Sequence, residues 1–505
     1  MTAPNRFKPY APDLHAVLRL DVALPPDHPI HVFVDLIQGI SLDHFVVPPG
    51  PKGEKPYHPH ALFGILAWGY LHGVHSSRNL ARLAQQEATF IFLAGGGQPH
   101  YRTLARFRRE NAAAFTAAFQ ETVVLALRLG LARLGQVALD GTKFKANSSK
   151  HKAMSYGRMR QREAQLQDEI AALVAQAETQ DATDDQAYAT RDGYAVTAEL
   201  TRREARLAKI QGLRERLESE QRQAQGLTDA EAPVIDDNEQ RSFADADARI
   251  MLLKRGAFDY AYNGQAVVDG ADGIIVAADL TNSAPDTGHL PAMVAVVRAL
   301  RETVAMPVTD PTTMSADAGY FSEANIAEDG DGIDLLIASS RKDAVASPPP
   351  AGQSYPADRF AYDAERDVWC CPAEKVLEHE DTRPGATGRP SKHRYVAAAT
   401  DCAACPLRQY CLQPGEERRV LDAERRRTTG GMRFKLRNPE ARKQYARRKV
   451  IVEPIFGQLK EDRGLVALSL RGLVSAKGEY LLACLAHNLG KLLRVCALPA
   501  VSVAA

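Results

Sequence analysis

Two short β-type runs, far apart in the chain, each end in an aspartate. QVALD delivers Asp140, and TTMSAD delivers Asp317. A third acid, Glu453, lies in the helical text YARRKVIVEPIFGQLK, with Lys460 two turns further on. Acids this far apart can act together only if the fold brings their segments side by side. Two strand-borne aspartates and a helix-borne glutamate suit divalent cations, which take oxygen ligands. Paired ions on such acids serve phosphodiester chemistry, one activating the attacking oxygen and the other stabilising the leaving one. An isolated Asp-Gly or Asp-Ala-Gly is more often a turn than a site, so the order of the segments matters.

That order is specific. AYNGQAVVD and GIIVAADLT are two extended runs split by DGADG, a hairpin pattern. DTGHLPAMVAVVRALRE reads as an amphipathic helix with Asp286 near its start, and IDLLIAS, after Asp317, as another strand. Strand with acid, two strands, helix, strand with acid, strand, and finally helix with acid is the order of an α/β, ribonuclease-H-like core. Two insertions interrupt it. Residues 155–240 hold two charged helical stretches joined by a polar loop, which predicts a helical hairpin. Such an arm clamps DNA, pairs with a second copy, or is a solvated spacer.

The second insertion, 346–420, is rich in Pro and polar residues and carries Cys370 and Cys371 in VWCCPAEK, and Cys402, Cys405 and Cys411 in DCAACPLRQYC. Cys-x2-Cys with further cysteines nearby is the spacing of a structural zinc site. Only one of Cys370 and Cys371 is needed for a tetrahedral ion, and a segment with so little apolar content gains from a metal staple. Free reduced thiols are the alternative.

Residues 1–125 predict an all-helical N-terminal domain. PHALFGILAWGYLHGV has helical spacing and ends near Gly73. Ser76 or Ser77 is a candidate cap for the next helix, and Thr103 for the one after. Arg78, Arg106 and Arg108, with Arg82, Arg102 and Arg109, fit a helix-turn-helix-like DNA reader or a small bundle with exposed arginines. The core then occupies 126–345, and 421–505 closes it with the Glu453 helix.

A chain of 505 residues has room for several such parts. Its net charge of +1 says nothing about partners, but between Arg418 and Lys449 thirteen Lys or Arg face three acids, a balance of +10. That block is either a phosphate footprint or a solvated helix face. MTAPNRFKPYAPDLH lacks the apolar centre of a signal peptide, and no run reaches the ~20 apolar residues of a membrane span. Seven cysteines in so long a chain fit a reducing cytoplasm.

The chain resembles the DDE transposases of bacterial insertion sequences, in an eleven-eighty-two-like branch. The resemblance rests on GVHSSRNL and PHYRTLARFRREN in an InsH-like N-terminal domain. In the core it rests on VALDGTKFKANSS, YNGQAVVD, SADAGYFSEAN and YARRKVIVEPIFGQLKEDRG, and at the end on LRGLVSAKGEYLLACLAHNLGKLL. It implies metal-dependent cleavage and strand transfer of double-stranded DNA, at terminal inverted repeats and a target. A homodimer or larger assembly forms on that DNA, near the nucleoid of a bacterial cytoplasm. The matching acids are Asp140, Asp317 and Glu453, holding two Mg²⁺ or Mn²⁺ ions. Asp140 would bridge both, and Lys460 would hold a scissile-strand phosphate. Cys371, followed by proline, matches the family's Cys-Pro pair and joins Cys402, Cys405 and Cys411 as the zinc set.

The third motif departs from the family's usual form, which is Tyr, two residues, Arg, three residues, Glu, six residues, Lys. Four residues separate Arg448 from Glu453 here. At ~100° per residue, Lys449 falls about 40° from Glu453 and Arg448 about 140°. On a regular helix Lys449 takes the arginine's place; a helix start or bulge restores Arg448. Both are candidate DNA contacts. Two rival readings remain: a metal-dependent nuclease that cuts without joining, and a catalytically silent, transposase-derived DNA-binding protein.

Overall fold

The computed structural model describes residues 19–46, 55–150, 153–184, 193–253, 256–339, 354–355, 359–363, 365–383, 392–423 and 429–496. MTAPNRFKPYAPDLH, the opening of the Cys-rich insertion, and Arg425, Arg426 and Arg427 of the basic block lie outside them. Contacts divide the chain into two units: Met1–Ala126 with Leu482–Ala505, and Leu127–Leu481. The residues from Leu482 onward thus group with the first unit, whereas the sequence placed them with the core.

The first unit begins with α1 (Leu20–Ala23), α2 (Pro29–Gln38), α3 (Pro59–Leu71), α4 (Ser77–Gln86), α5 (Ala88–Leu93), α6 (Tyr101–Glu110) and α7 (Ala112–Arg128). Every residue of α3 from Leu62 to Tyr70 is buried, as expected of a helix apolar on all sides. Histidines start three of these helices. The Nδ1 atoms of His28, His58 and His100 accept from the amides of Ile30, His60 and Arg102 at 3.1, 3.3 and 3.3 Å. Thr103 therefore lies inside α6 and caps nothing. Ser76 stands at the cap position of α4 without a side-chain cap bond.

The second unit is built on a sheet. It runs through β1 (Gln136–Lys145), β2 (Ala153–Ser155), α8 (Tyr156–Asp184), α9 (Gly193–Ala224), β3 (Gln240–Ser242), β4 (Arg249–Leu252), β5 (Phe258–Asp269), β6 (Ile275–Thr281), α10 (Leu290–Thr303), β7 (Thr312–Ala316), α11 (Glu323–Ile326) and β8 (Ile333–Ile337). The sheet order is β4-β5-β1-β7-β8, with β6 also paired to β5. β1 lies parallel to β7 and antiparallel to β5, and β7 lies parallel to β8. All of β7 is buried; its text TTMSA is rich in hydroxyls, and these find partners, Thr312 accepting from Arg301 at 2.6 Å and Ser315 donating to the Val137 carbonyl at 3.2 Å.

The helices α8 and α9 run antiparallel. Arg214 meets Glu163 at 2.8 Å and Arg203 meets Glu169 at 3.1 Å, so one helix descends as the other rises. Met159, Leu166, Ile210 and Leu213 form the seam. At the base, β2 pairs with β3, Ser155 opposite Gln240.

The Cys-rich insertion holds β9 (Ala361–Asp363), β10 (Val368–Cys370), β11 (Val376–Arg383), β12 (Lys392–Ala397), α12 (Ala399–Ala403) and β13 (Val420–Ala423). Its strands form an antiparallel sheet in the order β13-β12-β11-β10-β9. The low apolar content read from the sequence still makes a core. Tyr355, Phe360, Tyr362, Trp369, Leu377 and Tyr395 make a buried aromatic cluster of its own. Few apolar residues suffice because most are large rings.

The chain ends with α13 (Thr429–Lys435), α14 (Pro439–Ala446), α15 (Arg448–Gly457), a π-turn over Gln458–Asp462, and α16 (Leu473–Cys496). Among the described residues no helix is long and apolar enough to cross a membrane.

Candidate active site

The register of β1 against β7 sets the site. Leu139 lies opposite Ala316, so Asp140 and Asp317 are the next residues on two adjacent parallel strands. Asp317 turns the chain there. Its Oδ1 accepts from the Gly319 amide at 2.8 Å and caps the short turn Ala318–Tyr320. Asp140 stays in β1, and its Oδ1 accepts from the Gly141 amide at 2.8 Å.

Burial pushes the Asp140 carboxyl up to about 6; the Arg448 guanidinium opposes this, and the Asp317 charge adds to it. A buried carboxylate beside a like charge titrates high, and a cation lowers it.

Arg448 and Glu453 lie on one uninterrupted helix, α15, about 140° apart, so when Arg448 faces Asp140 Glu453 faces elsewhere. α14 ends at Ala446, Arg447 serves as the cap between the helices, and α15 restarts at Arg448. Arg448 is buried and donates from Nη1 to Asp140 Oδ2 at 3.1 Å, while Lys449 is exposed. The structure thus puts Arg448, and not Lys449, beside the acid. It also takes Arg448 out of the set of exposed cations able to track DNA. Tyr445 lies in the same cluster: burial pushes its hydroxyl up, and Arg448 beside it pulls the other way.

Beyond Glu453 the helix is irregular again. Pro454 stands inside α15, where it can offer no amide to the preceding turn, and the π-turn follows. Lys460, in that turn, donates to Thr142 Oγ1 at 2.6 Å and to the Lys143 carbonyl at 2.7 Å, and sits 4.7 Å from the centre of the Phe144 ring. It ties the turn to β1. Glu453 is exposed, flanked in sequence by buried Ile451, Val452 and Ile455. Asp140, Asp317, Arg448 and Tyr445 are together, and Glu453 does not form a group of three with the two aspartates. Among the described residues no group of three or more His, Cys, Asp or Glu that could hold a metal ion is found.

A polar cluster that the sequence reading passed over lies next to these acids. Asp286, in the loop before α10, accepts on Oδ1 from Asn263 Nδ2 at 2.6 Å, Gln265 Nε2 at 2.9 Å and Lys143 Nζ at 3.1 Å. Tyr320 donates its hydroxyl to Gln265 Oε1. Burial holds that hydroxyl far above its usual range, with the charges of Asp286, Asp140 and Asp317 all adding. A signal was available. Asn263 and Gln265 are alternate positions of a strand otherwise filled with apolar and small residues, and both are fully buried. Buried amides need partners.

The N-terminal arginines separate. Arg78 and Arg106 are exposed; Arg78 lies over the Tyr101 ring at 5.2 Å, and Arg106 pairs with Glu110 at 3.0 Å. Arg108 is a correction. It is buried and donates to the Tyr70 hydroxyl at 2.9 Å and the His75 carbonyl at 2.8 Å, so it fastens the bundle. The basic block separates likewise. Lys435 pairs with Asp329, Arg437 donates to the Cys371 carbonyl, and Arg419 to those of Cys411 and Tyr355. Arg442, Lys443, Arg447 and Lys449 remain exposed on and between α14 and α15.

In the Cys-rich unit, Cys371, Cys402, Cys405 and Cys411 line one cavity, with Lys375, Asp401 and Arg408. Burial pushes the Cys411 thiol up to about 11 and the Cys371 thiol upward as well.

No curated protein and no solved structure matches the chain. Two family models do. The family described as a transposase DDE domain matches residues 370–493, which carry the four cavity cysteines, Arg448, Glu453 and Lys460. The family described as a transposase domain (DUF772) matches residues 18–110, which carry α1 to α6. Asp140 and Asp317 lie outside both matches, and it is with the geometry around them that the two matches support a DDE transposase.

Proposed function

We propose that the chain is an insertion-sequence transposase that binds double-stranded DNA at terminal inverted repeats, cuts it, and joins the freed end to a target. The observation that carries this reading is the pair Asp140 and Asp317, side by side on adjacent parallel strands, with Arg448 on the first. The strand order supports it: β6 and β5 antiparallel, then β1, β7 and β8 parallel, is what a ribonuclease-H-like core requires.

The donor set fits Mg²⁺ or Mn²⁺. Both groups are carboxylates, and Asp140 is held near a like charge that a cation relieves. Asp140 and Asp317 would hold the ions; Glu453 of α15, not grouped with them in this structure, is the third carboxylate of the proposal and would have to turn toward them to join. Bound ions supply activation of the attacking oxygen and neutralise charge on the leaving one. The chain itself orients the acids through the β1–β7 register and tethers the Glu453 helix through Lys460. Arg442, Lys443, Arg447 and Lys449 offer phosphates a basic surface, and Arg78 and Arg106 offer a second. For the insertion one structural Zn²⁺ is proposed because Cys371, Cys402, Cys405 and Cys411 line one cavity and Cys402 and Cys405 have zinc-ligand spacing; in this structure their sulfurs are not drawn together into a metal-holding group.

The test uses duplexes copied from the flanks of the gene, Mg²⁺, and a supercoiled target. Cleavage and joining are expected, both lost in Asp140→Asn and Asp317→Asn, with gel-shift binding retained. Cleavage without joining would replace this reading with that of a nuclease. Metal-independent binding alone would leave a silent DNA-binding protein.

A further inference from the structure

We propose that Asp286 is a positioning residue of the acid site, clamping the two segments that deliver Asp140 and Asp317 at one fixed spacing. The inference rests on the ion-site reading above, and adds to it a residue outside both family matches.

One arm of the clamp is on β1. Gly141 and Lys143 share a face of that strand, opposite to the face of Asp140 and Thr142. Gly141 lies opposite Gln265 and Lys143 opposite Asn263 in the β1–β5 register. Asp286 seals this face by accepting from Lys143, Asn263 and Gln265 on a single oxygen. It comes so close that a β-carbon on Gly141 would stand 2.7 Å from its Oδ1. Only a glycine after Asp140 leaves room for the carboxylate.

The other arm is on the Asp317 turn. Gln265, held by Asp286 through its amide nitrogen, receives the Tyr320 hydroxyl on its amide oxygen. Tyr320 is fully buried and ends the short turn that Asp317 caps. The second oxygen of Asp286 faces the same turn: a β-carbon on Gly319 would lie 3.8 Å from Oδ2. The chain of contacts therefore runs from Asp140's strand, through Asp286 and Gln265, to Tyr320 and Asp317's turn. Every side chain in it is half-buried or buried, and Lys143 supplies the charge that balances Asp286. Two carboxylates that must share cations repel each other until the cations arrive, so their spacing has to be held by something else. Hydrogen-bonded groups behind metal-binding carboxylates set their orientation, and losing one costs ~10–100-fold in metal affinity.

Mn²⁺ alone is the probe, titrated into the full chain with free Mn²⁺ read by electron paramagnetic resonance. Wild type binds, and Asp140→Asn and Asp317→Asn lose that binding. Asp286→Ala and Tyr320→Phe bind on the order of 10-fold more weakly; Tyr320→Phe keeps the ring packed, so it reports even if the alanine variant folds poorly. Asp286→Asn, which keeps an acceptor for the two amides, recovers part of the loss. A merely structural role would lower the unfolding temperature of Asp286→Ala and leave Mn²⁺ affinity unchanged; that result, or wild-type affinity in Tyr320→Phe, overturns the inference while the ion site stands. Equal binding by wild type and Asp140→Asn overturns the ion-site reading, and the inference with it.

Discussion

Arg448 Nη1 lies 3.1 Å from Asp140 Oδ2, joining two residues from opposite ends of the second unit's sequence. Arg448 makes it from the first residue of α15, just after the junction at Arg447. A guanidinium here serves as the resident counter-charge of a carboxylate that burial disfavours.

Removing that counter-charge should move Asp140 further upward, because Arg448 is the main influence holding it down. In Arg448→Ala, the pH midpoint of Mn²⁺ binding should rise by about one unit. A midpoint that stays put would mean that Asp140 does not ligate the ion.

The ion-free chain should gain stability on mild acidification through Asp140. Its folded value of about 6 exceeds the ordinary 3.8, so between those values the folded form binds more protons. The stabilisation is fully present below pH ~4 and lost as pH rises through ~6, amounting to on the order of 3 kcal/mol. Urea unfolding in chelator at pH 5 and pH 7 captures about 1.3 kcal/mol of it. Asp140→Asn should flatten the difference, and an unchanged difference would assign it to other groups.

Gly141→Ala should cost about 1–3 kcal/mol, since the new methyl would meet Gln265 Nε2 at 2.4 Å and Asp286 Oδ1 at 2.7 Å. Both belong to a hydrogen-bonded cluster and cannot move aside freely. Denaturant midpoints decide it; a neutral substitution would show that the cluster yields.

Arg108→Ala and Arg78→Ala should part company. Loss of Arg108 removes two buried hydrogen bonds, to the Tyr70 hydroxyl and the His75 carbonyl, costing about 1–3 kcal/mol. Arg78→Ala should change stability by less than about 0.5 kcal/mol and lower DNA affinity. Affinity unchanged in Arg78→Ala would remove the N-terminal helices from the DNA surface.

Purified chain should carry about one zinc. Cys402→Ser should release it and open the insertion to protease. A metal-free wild type with a protected insertion would instead credit the aromatic cluster around Tyr362, Trp369 and Tyr395 with holding that sheet alone.

The strands were legible because their signals are local. QVALD and TTMSAD end where the β1–β7 pairing ends, and the two extended runs around DGADG form β5 and β6. The helix caps were less so, because a histidine ring accepting an amide through Nδ1 leaves no mark that distinguishes it from any other histidine. Arg108 reads in sequence like its neighbours Arg106 and Arg109; only its helical phase against Leu104 and Phe107 turns it inward. Arg448 and Lys449 could not be told apart in sequence because the choice depends on which face of α15 meets β1, and that is a tertiary fact. Asp286 was hidden by distance: its partners, Asn263, Gln265 and Lys143, lie on two other strands, and no spacing rule connects them.

The ribbon that pairs Ser155 with Gln240 brings the entry and exit of the helical arm to one point. The foot of the arm is also fastened to the sheet, where Glu220 of α9 pairs with Arg249 of β4 at 2.7 Å and Arg216 pairs with Asp247; the rest of α8 and α9 packs on its own seam. Changes beyond that foot, in the length of α8 and α9 past Glu163 and Arg214, leave β1 and its Asp140 where the β1–β5 and β1–β7 registers hold them.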